Sequence, residues 1–404
     1  MSAASSGPFF TKVEVGPGMV AAGAALIGIC YGFARFSYGL FAPELQAEFD
    51  LTGAVSGVIG AGSYVGYCVA IVWSLVVTPR WGPRRVAGLA GLVATAGLVV
   101  VAVAPTAWLL AAGLLVAGSS TGIASPPLAA AVARWVRKPS QDRAQTLVNA
   151  GTGMGVLVSG PIAFALTDYW RWAWGTYAVG AAAVTWWIWV TMPGGRALAD
   201  GSSERSADEP SSCRRRASGE SALPLLLASF FMGLASVAVW TLGRELIVTE
   251  GDANALLAGL MWTLMGAAGI AGALSGPLVQ RIGVTGSWSV LMIALAAATA
   301  GLALAPRSIA MIVIGAAVFG GAYIALTGVA LLWATRIYPE RTAYGVGASF
   351  LMIAVGQALG APLAGIGGDR FGYSVVFYLC ASVATAGALI PIMRSITPST
   401  APSE

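Results

Sequence analysis

A single arginine interrupts the first long apolar stretch of the chain. Arg35 lies within YGFARFSYG (31–39), in a run from Val20 to Leu40 that otherwise holds glycine, alanine, aliphatic and aromatic residues with small polar interruptions. An ionised side chain in hydrocarbon costs a few kcal/mol even on lenient insertion scales, so at this depth we expect Arg35 to face a wet cavity. The alternative is a structural arginine whose head group reaches the membrane interface.

The neighbours of Arg35 indicate what it could bind. Tyr31, Arg35 and Tyr38 stand at i, i+4 and i+7, which places them on one face of an α-helix. A guanidinium fork matches the two oxygens of a carboxylate or phosphate. We therefore predict that Arg35 binds an anionic group between the two tyrosines. Polar or aromatic side chains in other apolar segments are candidates for the same cavity, namely Thr121, Ser125, Asn149, Trp240, Tyr323, Thr327 and Gln357. For the hydroxyl groups the alternative is a hydrogen bond to their own helix.

Acidic residues avoid the middle of the apolar segments. All 17 fall in tails, loops or segment ends, and histidine is absent, so we expect Arg35 to be the only buried ionised group. This distribution argues against a site for protons or polyvalent cations in the middle of the apolar segments, because both commonly rely on a buried carboxylate. Glu44 and Glu245 at segment ends are the candidate carriers if a proton is bound and released. The alternative for both is an ordinary solvated helix end.

The composition excludes most other classes of protein. Of 404 residues, 57% are hydrophobic and 10% are charged, whereas soluble domains are about 25% charged. The sequence therefore predicts an integral membrane protein. The lack of histidine removes Ser-His-Asp and Cys-His sites, and no metal-ligand spacing is present, so we predict no enzyme activity, no metal and no cofactor.

Twelve apolar segments are each long enough to cross a bilayer, which takes about 20 residues. They predict an all-α membrane protein with helices at 18–42, 53–77, 86–104, 107–133, 144–166, 173–192, 223–247, 255–279, 287–305, 309–334, 343–367 and 374–393.

The basic residues orient these segments. With both termini inside, most of the 22 Lys and Arg lie on the inner side, and the outer side receives Arg171, Arg244, Arg307 and Arg370. By the positive-inside rule we predict a multi-pass protein of a bacterial cytoplasmic (inner) membrane with both termini cytoplasmic. This topology explains the net charge of +5, and we predict no binding of nucleic acid.

The chain repeats itself at an offset of 201 residues. This offset relates Pro105 to Pro306, Pro161 to Pro362 and Asp168 to Asp369, as well as Pro-Glu-Leu (43–45) to Arg-Glu-Leu (244–246). The only long polar stretch lies between the copies. We predict an N-terminal six-helix half (1–192), a cytoplasmic linker (193–222) and a C-terminal six-helix half (223–404), related by pseudo-symmetry. Arg35 aligns with Ser236, and a cation present in one half alone fits a ligand contact better than a structural role.

Two loops carry a family resemblance that covers nearly the whole chain. LVVTPRWG (75–82) and GPLVQRIG (276–283) resemble the G-x-L-x-D-R-x-G loop motif of the major facilitator superfamily, although Pro79 and Gln280 stand where the family has Asp. The cytoplasmic loop residues of interest are Gly82, Arg84, Arg281 and Gly283. The segments ARFSYGLFAPEL…SYVGY (34–67), WVRKPSQDRAQTLVNAGTGMGVLVSGP (135–161) and YPERTAYGVGASFLMIAVGQALGAPLAG (338–365) are similar to the bacterial YbfB/YjiJ-type branch.

The resemblance implies two six-helix halves with a small molecule held between them, the first helix of each three-helix group lining the cavity. We therefore predict a monomeric secondary active transporter that moves a small organic solute, preferably an anion, by alternating access, with a proton as a potential co-substrate. One alternative is an exporter of apolar or amphipathic drug-like compounds, in which Arg35 is structural. Another is a non-transporting membrane sensor or partner-binding protein.

Overall fold

The computed structural model describes residues 17–194, 222–339 and 341–396. Within these ranges it contains twelve long helices and no strand, which confirms the predicted all-α fold class. The first six are α1 (Pro17–Leu40), α2 (Gly53–Trp81), α3 (Pro83–Ala102), α4 (Ala107–Trp135), α5 (Gln141–Ala165) and α6 (Trp170–Thr191). The second six are α7 (Leu223–Thr249), α8 (255–282), α9 (284–304), α10 (Ile309–Ile337), α11 (Thr342–Phe371) and α12 (Tyr373–Ile396).

Ten spans in the described ranges are long and apolar enough to cross a membrane, and one of them, Ala255–Leu304, contains both α8 and α9. The helix outside this set is α6, whose six tryptophans and one arginine lower its hydropathy. The chain is therefore a multi-pass membrane protein. The prediction of twelve segments holds, and each helix begins and ends within four residues of its predicted bounds, with α2 and α11 extending furthest beyond them. A short helix, Ala42–Phe49, follows α1 and was not predicted.

Three glycines make the tightest connections between helices. Gly82 joins α2 to α3 with φ 83°, Gly283 joins α8 to α9 with φ 75°, and Gly372 joins α11 to α12 with φ 86°. Glycine adopts this left-handed region without the clash that a Cβ would cause. Since Gly82 and Gly283 are related by the repeat offset, the glycines of the loop motif set the same turn in both halves.

Hydrogen-bonding caps begin corresponding helices of the two halves. The side chains of Thr52 and Asn254 accept from backbone N–H groups in the first turns of α2 and α8, at 3.2 and 2.9 Å. Thr106 and Ser308 do the same for α4 and α10, both at 3.4 Å. Each cap satisfies one N–H that has no partner within its helix.

The helices pack in the same order in each half. In the first half α1 contacts α5, α2 contacts α4, and α3 contacts α4 and α6; the second half repeats this with α7–α11, α8–α10, α9–α10 and α9–α12. The halves meet mainly along α2–α11 and α5–α8. Most of the predicted linker 193–222 lies outside the described residues, so its boundaries and those of the two domains stay predictions.

The most deeply enclosed helix is α1, with 83% of its apolar window buried, against 39% for α12. Residues Gly28–Phe36 of α1 are π-helical, a rare geometry that is frequent at functional sites. The α1 backbone lies directly against α5, because a Cβ at Gly155 would collide with the carbonyl oxygen of Gly28. The equivalent Gly356 of α11 lies equally close to the carbonyl oxygen of Phe230 in α7.

The two ends of the helix bundle differ in charge. We call the end that carries Glu44, Glu250 and Asp369 the acidic end, and the end that carries Arg84, Arg281 and Arg336 the basic end.

Candidate functional site

Arg35 lies between the two halves and is 4% exposed. Its Nη2 donates a hydrogen bond to Oε1 of Gln357 on α11, whereas its Nε has no hydrogen-bond partner. None of the ion pairs found in the described ranges includes Arg35. The guanidinium is therefore a buried cation with a neutral acceptor, and it does not reach the surface.

Four aromatic rings surround this cation. The guanidinium carbon lies 4.5 Å from the ring centre of Tyr67 and 4.8 Å from that of Tyr64, both on α2. Phe36 and Tyr31 of α1 lie at 5.4 and 5.5 Å. The negative faces of aromatic rings stabilise a cation within about 6 Å, more strongly when water is excluded. The rings thus replace part of the hydration that Arg35 loses, without supplying a negative charge.

Gln357 connects Arg35 to the second half. Its side chain is fully buried, and its Nε2 donates to the hydroxyl of Tyr323 at 3.3 Å and to that of Ser236 at 3.4 Å. Ser236 occupies the position on α7 that Arg35 occupies on α1. The repeat-equivalent positions Arg35 and Ser236 therefore meet at one amide.

A cavity of about 20 Å³ adjoins the guanidinium. A cavity needs at least about 10–15 Å³ to hold one water molecule, so this space admits little more than a water. It is lined by Tyr31, Arg35, Tyr67, Asn149, Thr152, Tyr323, Thr327, Phe350 and Ile353. The halves are closed around Arg35 in this conformation.

A second cavity of about 20 Å³ extends from the first toward the basic end. The two share Asn149 and Phe350, and the second is also lined by Ser125 and Gln145. The Asn149 Nδ2 donates to Oγ1 of Thr327 at 2.9 Å, which joins α5 to α10 across the halves. Polar side chains thus extend from Arg35 toward the basic end.

The structure brings together most of the polar residues that the sequence singles out. Tyr31 shares hydrogen bonds with Ser125 at 2.9 Å and with Tyr67 at 3.2 Å. Tyr31, Asn149, Tyr323 and Thr327 line the first cavity, Ser125 lines the second, and Gln357 bonds Arg35.

Three candidates lie elsewhere. The Tyr38 hydroxyl bonds the carbonyl oxygen and the hydroxyl of Ser56, at 3.0 and 2.7 Å, because the π-helical turn before it changes the spacing from which an α-helical face was predicted. Thr121 donates back to the carbonyl of Gly118 in its own helix. Trp240 stacks on Phe36 with ring centres 3.9 Å apart, one layer behind the cavity.

Tyr64 and Tyr67 were missed. Their i, i+3 spacing within the second apolar segment was the available signal, but nothing in the sequence shows that α2 faces α1 at this level.

The expectation that Arg35 is the only buried charge is wrong. Arg244 is 7% exposed and Glu245 is 6% exposed, because α7 continues to Thr249 and the short helix Ala42–Phe49 packs against it. Both terminal nitrogens of Arg244 donate to the carboxylate of Glu44, and Nη1 also donates to the carbonyl of Leu40. The Oε2 of Glu245 is buried without a hydrogen-bond partner. Neither glutamate is a simple solvated helix end.

Other carboxylates of the acidic end lie at helix N-termini. Asp369 of α11 accepts from the backbone N–H groups of Gly53 and Ala54 at 3.1 and 2.7 Å, at the start of α2 in the other half. Glu250 accepts from the backbone N–H of Tyr373 at 2.7 Å, at the start of α12. A negative charge is favourable at the positive end of a helix dipole. Charged contacts therefore join the halves at the acidic end.

The loop residues lie at the basic end. Gly82 and Gly283 form the turns described above. Arg84 donates to the carbonyl of Trp189 on α6, and its guanidinium carbon lies 5.4 Å from that ring. Arg281 is exposed. Pro79 and Gln280 stand where the family motif has aspartate. The contacts of Arg84 are an aromatic ring and a carbonyl group.

Two comparisons of sequence relate this chain to known proteins. A family model described as Major Facilitator Superfamily matches residues 24–331 and 223–404. The transcription regulatory protein OpdE of Pseudomonas aeruginosa is 26% identical over 357 residues, covering 85% of this chain and 86% of that protein.

Solved structures share the architecture at low sequence identity. The D-xylose-proton symporter superposes with a TM-score of 0.76 at 13% identity, covering 95% of this chain and 98% of its own. The human organic anion transporter MFSD10 superposes with a TM-score of 0.67 at 17% identity, covering 93% and 99%. At these identities the likeness shows a common fold.

Proposed function

The chain belongs to the Major Facilitator Superfamily, and on that premise we propose that it is a secondary active transporter, rather than an enzyme, for a small organic anion. The two six-helix halves would expose Arg35 alternately to the two sides of the membrane. The observation that carries this proposal is the buried guanidinium between the halves, whose acceptor is the neutral amide of Gln357.

The sign of the buried charge selects the substrate class. A buried charge is costly unless it is paired. The ring faces and one amide oxygen offset only part of the free-energy cost of removing the Arg35 guanidinium from water. A carboxylate on the solute would supply the missing negative charge and could engage the fork with two parallel hydrogen bonds. A cationic solute would face repulsion at the same place.

Gln357 links binding to movement of the halves in this proposal. The solute's carboxylate takes the position of the Gln357 Oε1 on Arg35, which frees the amide that joins α11 to α1. The cavity of about 20 Å³ is too small for an organic acid, so entry requires the halves to separate first. Binding and separation then favour one another, as alternating access requires.

The direction of opening follows from the contacts at the two ends. At the acidic end the halves are joined by the Arg244–Glu44 ion pair and by Asp369, whereas the second cavity leads from Arg35 toward the basic end. We therefore propose that the described conformation opens first at the basic end. By the positive-inside rule that end is cytoplasmic, in the inner membrane of a bacterium, with both termini on the same side. A monomer and the YbfB/YjiJ-type branch remain our predictions.

Glu245 is the proposed proton carrier. One of its carboxylate oxygens is buried without a donor, next to the Arg244–Glu44 pair that closes the acidic end. Opening that end would hydrate Glu245 together with the pair, so its proton could exchange in one conformation and not in the other. Glu44 would take part through its pairing with Arg244.

Flux measurements in proteoliposomes test the proposal. Wild type, Arg35→Ala and the control Arg307→Ala are compared with a panel of monocarboxylates and a panel of neutral amphiphiles. Arg307 is exposed and pairs with Asp252 at the surface. We expect carboxylate flux in wild type and in the control, and its loss in Arg35→Ala. Carboxylate flux that survives in Arg35→Ala contradicts the proposal, and flux of neutral amphiphiles alone supports the exporter alternative.

The name of the Pseudomonas aeruginosa relative, a transcription regulatory protein, favours a second candidate, a membrane sensor. The same preparations distinguish it. Anion binding that depends on Arg35 and occurs without flux would indicate that the site senses its ligand.

A further inference from the structure

A groove lies on the membrane-facing surface between α7, α11 and α12. Its volume is about 300 Å³, and its walls are apolar except for one arginine; Leu234, Leu363, Val376, Leu379 and Val383 are among the lining residues. This volume is at the lower end of the range of about 300–1,000 Å³ typical of small-molecule pockets. It suits one acyl chain better than a bulky ring system.

The arginine of the groove is Arg370, the penultimate residue of α11, at the acidic end. Its side chain is exposed, and no hydrogen bond or ion pair to it is found within the described ranges. The adjacent carboxylate of Asp369 accepts hydrogen bonds from the N–H groups of Gly53 and Ala54, and no ion pair between Asp369 and Arg370 is found within the described ranges. A cation without a partner thus stands at the edge of an apolar groove.

The groove runs along the helix axis, as the acyl chain of a membrane lipid does. Its lining on α11 extends from Gly360 to Arg370, which is roughly 15 Å along a helix that rises about 1.5 Å per residue. Gly360 lies near the middle of the span, and Arg370 lies where the span ends. The charged end of the groove therefore meets the headgroup region, and its apolar end points to the bilayer centre.

We propose that this groove binds an anionic phospholipid, with one acyl chain between α7, α11 and α12 and the phosphate on Arg370. Arginine suits the phosphate because its fork can donate two hydrogen bonds to it. The proposal does not depend on the transported solute, since the groove lies outside the site around Arg35.

A second apolar groove provides an internal comparison. It lies between α2, α3 and α4, has a volume of about 400 Å³ and is lined by residues such as Val69, Trp73, Leu89 and Ile123, with no charged residue in its lining. An acyl chain can occupy it without selecting a headgroup. Retention of lipid that depends on headgroup charge is therefore expected at the Arg370 groove.

Native mass spectrometry of the delipidated full-length protein tests this, with phosphatidylglycerol and phosphatidylcholine added back separately. Since one arginine near a membrane surface contributes about 1 kcal/mol toward an anionic lipid, Arg370→Gln should weaken phosphatidylglycerol binding by about fivefold and leave phosphatidylcholine unchanged. The control Arg307→Gln removes an arginine from the same end, and it should leave both lipids unchanged. A second variant, Cys380→Phe, fills the groove and should reduce retention of phosphatidylglycerol.

Two results would overturn the proposal. One is phosphatidylglycerol binding in Arg370→Gln equal to that of wild type. The other is an equal loss in Arg307→Gln, which would show that the effect follows total charge and not this groove. Circular dichroism on each variant establishes that the helices are intact.

Discussion

Of the arginines that the structure describes, two are buried between the halves, and they differ in what they contact. Arg244 is 7% exposed and holds the carboxylate of Glu44 with both terminal nitrogens. Arg35 is 4% exposed and holds a neutral amide within a ring of aromatic side chains. Each is present in one half only, since Pro43 and Ser236 stand at the equivalent positions.

The difference separates a structural contact from a binding site. Breaking a buried ion pair is expensive, so the Arg244–Glu44 pair stabilises the closed acidic end. A buried cation without an anion favours ligand binding instead, because a negatively charged ligand lowers the free energy of the buried charge. Substitutions that exchange or remove the contacts of each arginine test this difference.

The largest effect is expected from Glu44→Gln, which leaves Arg244 buried without its carboxylate. Removing one partner of a buried pair costs about 3 kcal/mol or more, so the closed acidic end should open. Distances between spin labels on the acidic ends of α2 and α11 measure this opening. The double variant Glu44→Gln, Arg244→Gln removes both charges and should recover most of the closed population. An acidic end that stays closed in the single variant contradicts the role given to the pair.

Gln357→Glu makes the surroundings of Arg35 resemble those of Arg244. An internal carboxylate would compete with the solute for the guanidinium, and we expect anion affinity to fall about 50-fold, the scale of one or two hydrogen bonds between charged groups. Equilibrium binding to purified protein measures it, with Gln46→Glu as a control outside the cavity. Unchanged affinity in Gln357→Glu would show that the anion does not displace this side chain.

Asp369→Asn tests the second contact at the acidic end. The substitution keeps an acceptor for the N–H groups of α2 and removes the charge, so the loss should be about 1 kcal/mol, the scale of a charge at a helix terminus. The same spin-label distances should shift partly toward the open form. The matched variant Asp252→Asn changes an exposed pair with Arg307 and should cost less than about 0.5 kcal/mol. Equal effects in both variants would argue against a special role for Asp369.

The smallest effect is expected from Tyr67→Phe. This variant keeps the ring 4.5 Å from Arg35 and loses only the hydroxyl contact with Tyr31, which is worth about 1 kcal/mol. Anion affinity should change less than about fivefold. Tyr67→Leu removes the ring as well and should weaken binding further, so equal affinities in the two variants would exclude a contribution from the ring.

Local sequence signals predict much of this fold. Apolar segments mark the helices, Gly82 and Gly283 mark the turns, and the repeated prolines and aspartates relate the halves. The helices and turns depend on neighbouring residues alone, and the repeat is visible when the sequence is compared with itself. These signals do not show which faces meet, and for that reason the burial of Arg244 and Glu245 by the helix Ala42–Phe49 was not predicted.

The candidate site is predicted in part for the same reason. Arg35 and Gln357 stand out because a charge and an amide are costly in an apolar segment. Tyr64 and Tyr67 do not, since tyrosine is common in membrane helices and its role here depends on how α2 packs against α1. The π-helical turn of α1 was not predicted either, and for that reason neither was the hydrogen bond between Tyr38 and Ser56.

Equilibrium binding of a monocarboxylate panel to purified protein tests the central claim most directly, with wild type, Arg35→Gln and the double variant Glu44→Gln, Arg244→Gln compared side by side. The account predicts that wild type and the double variant bind a carboxylate, and that Arg35→Gln does not. Undiminished carboxylate binding in Arg35→Gln, with binding lost in the double variant, would place the anion at Arg244 and contradict the account.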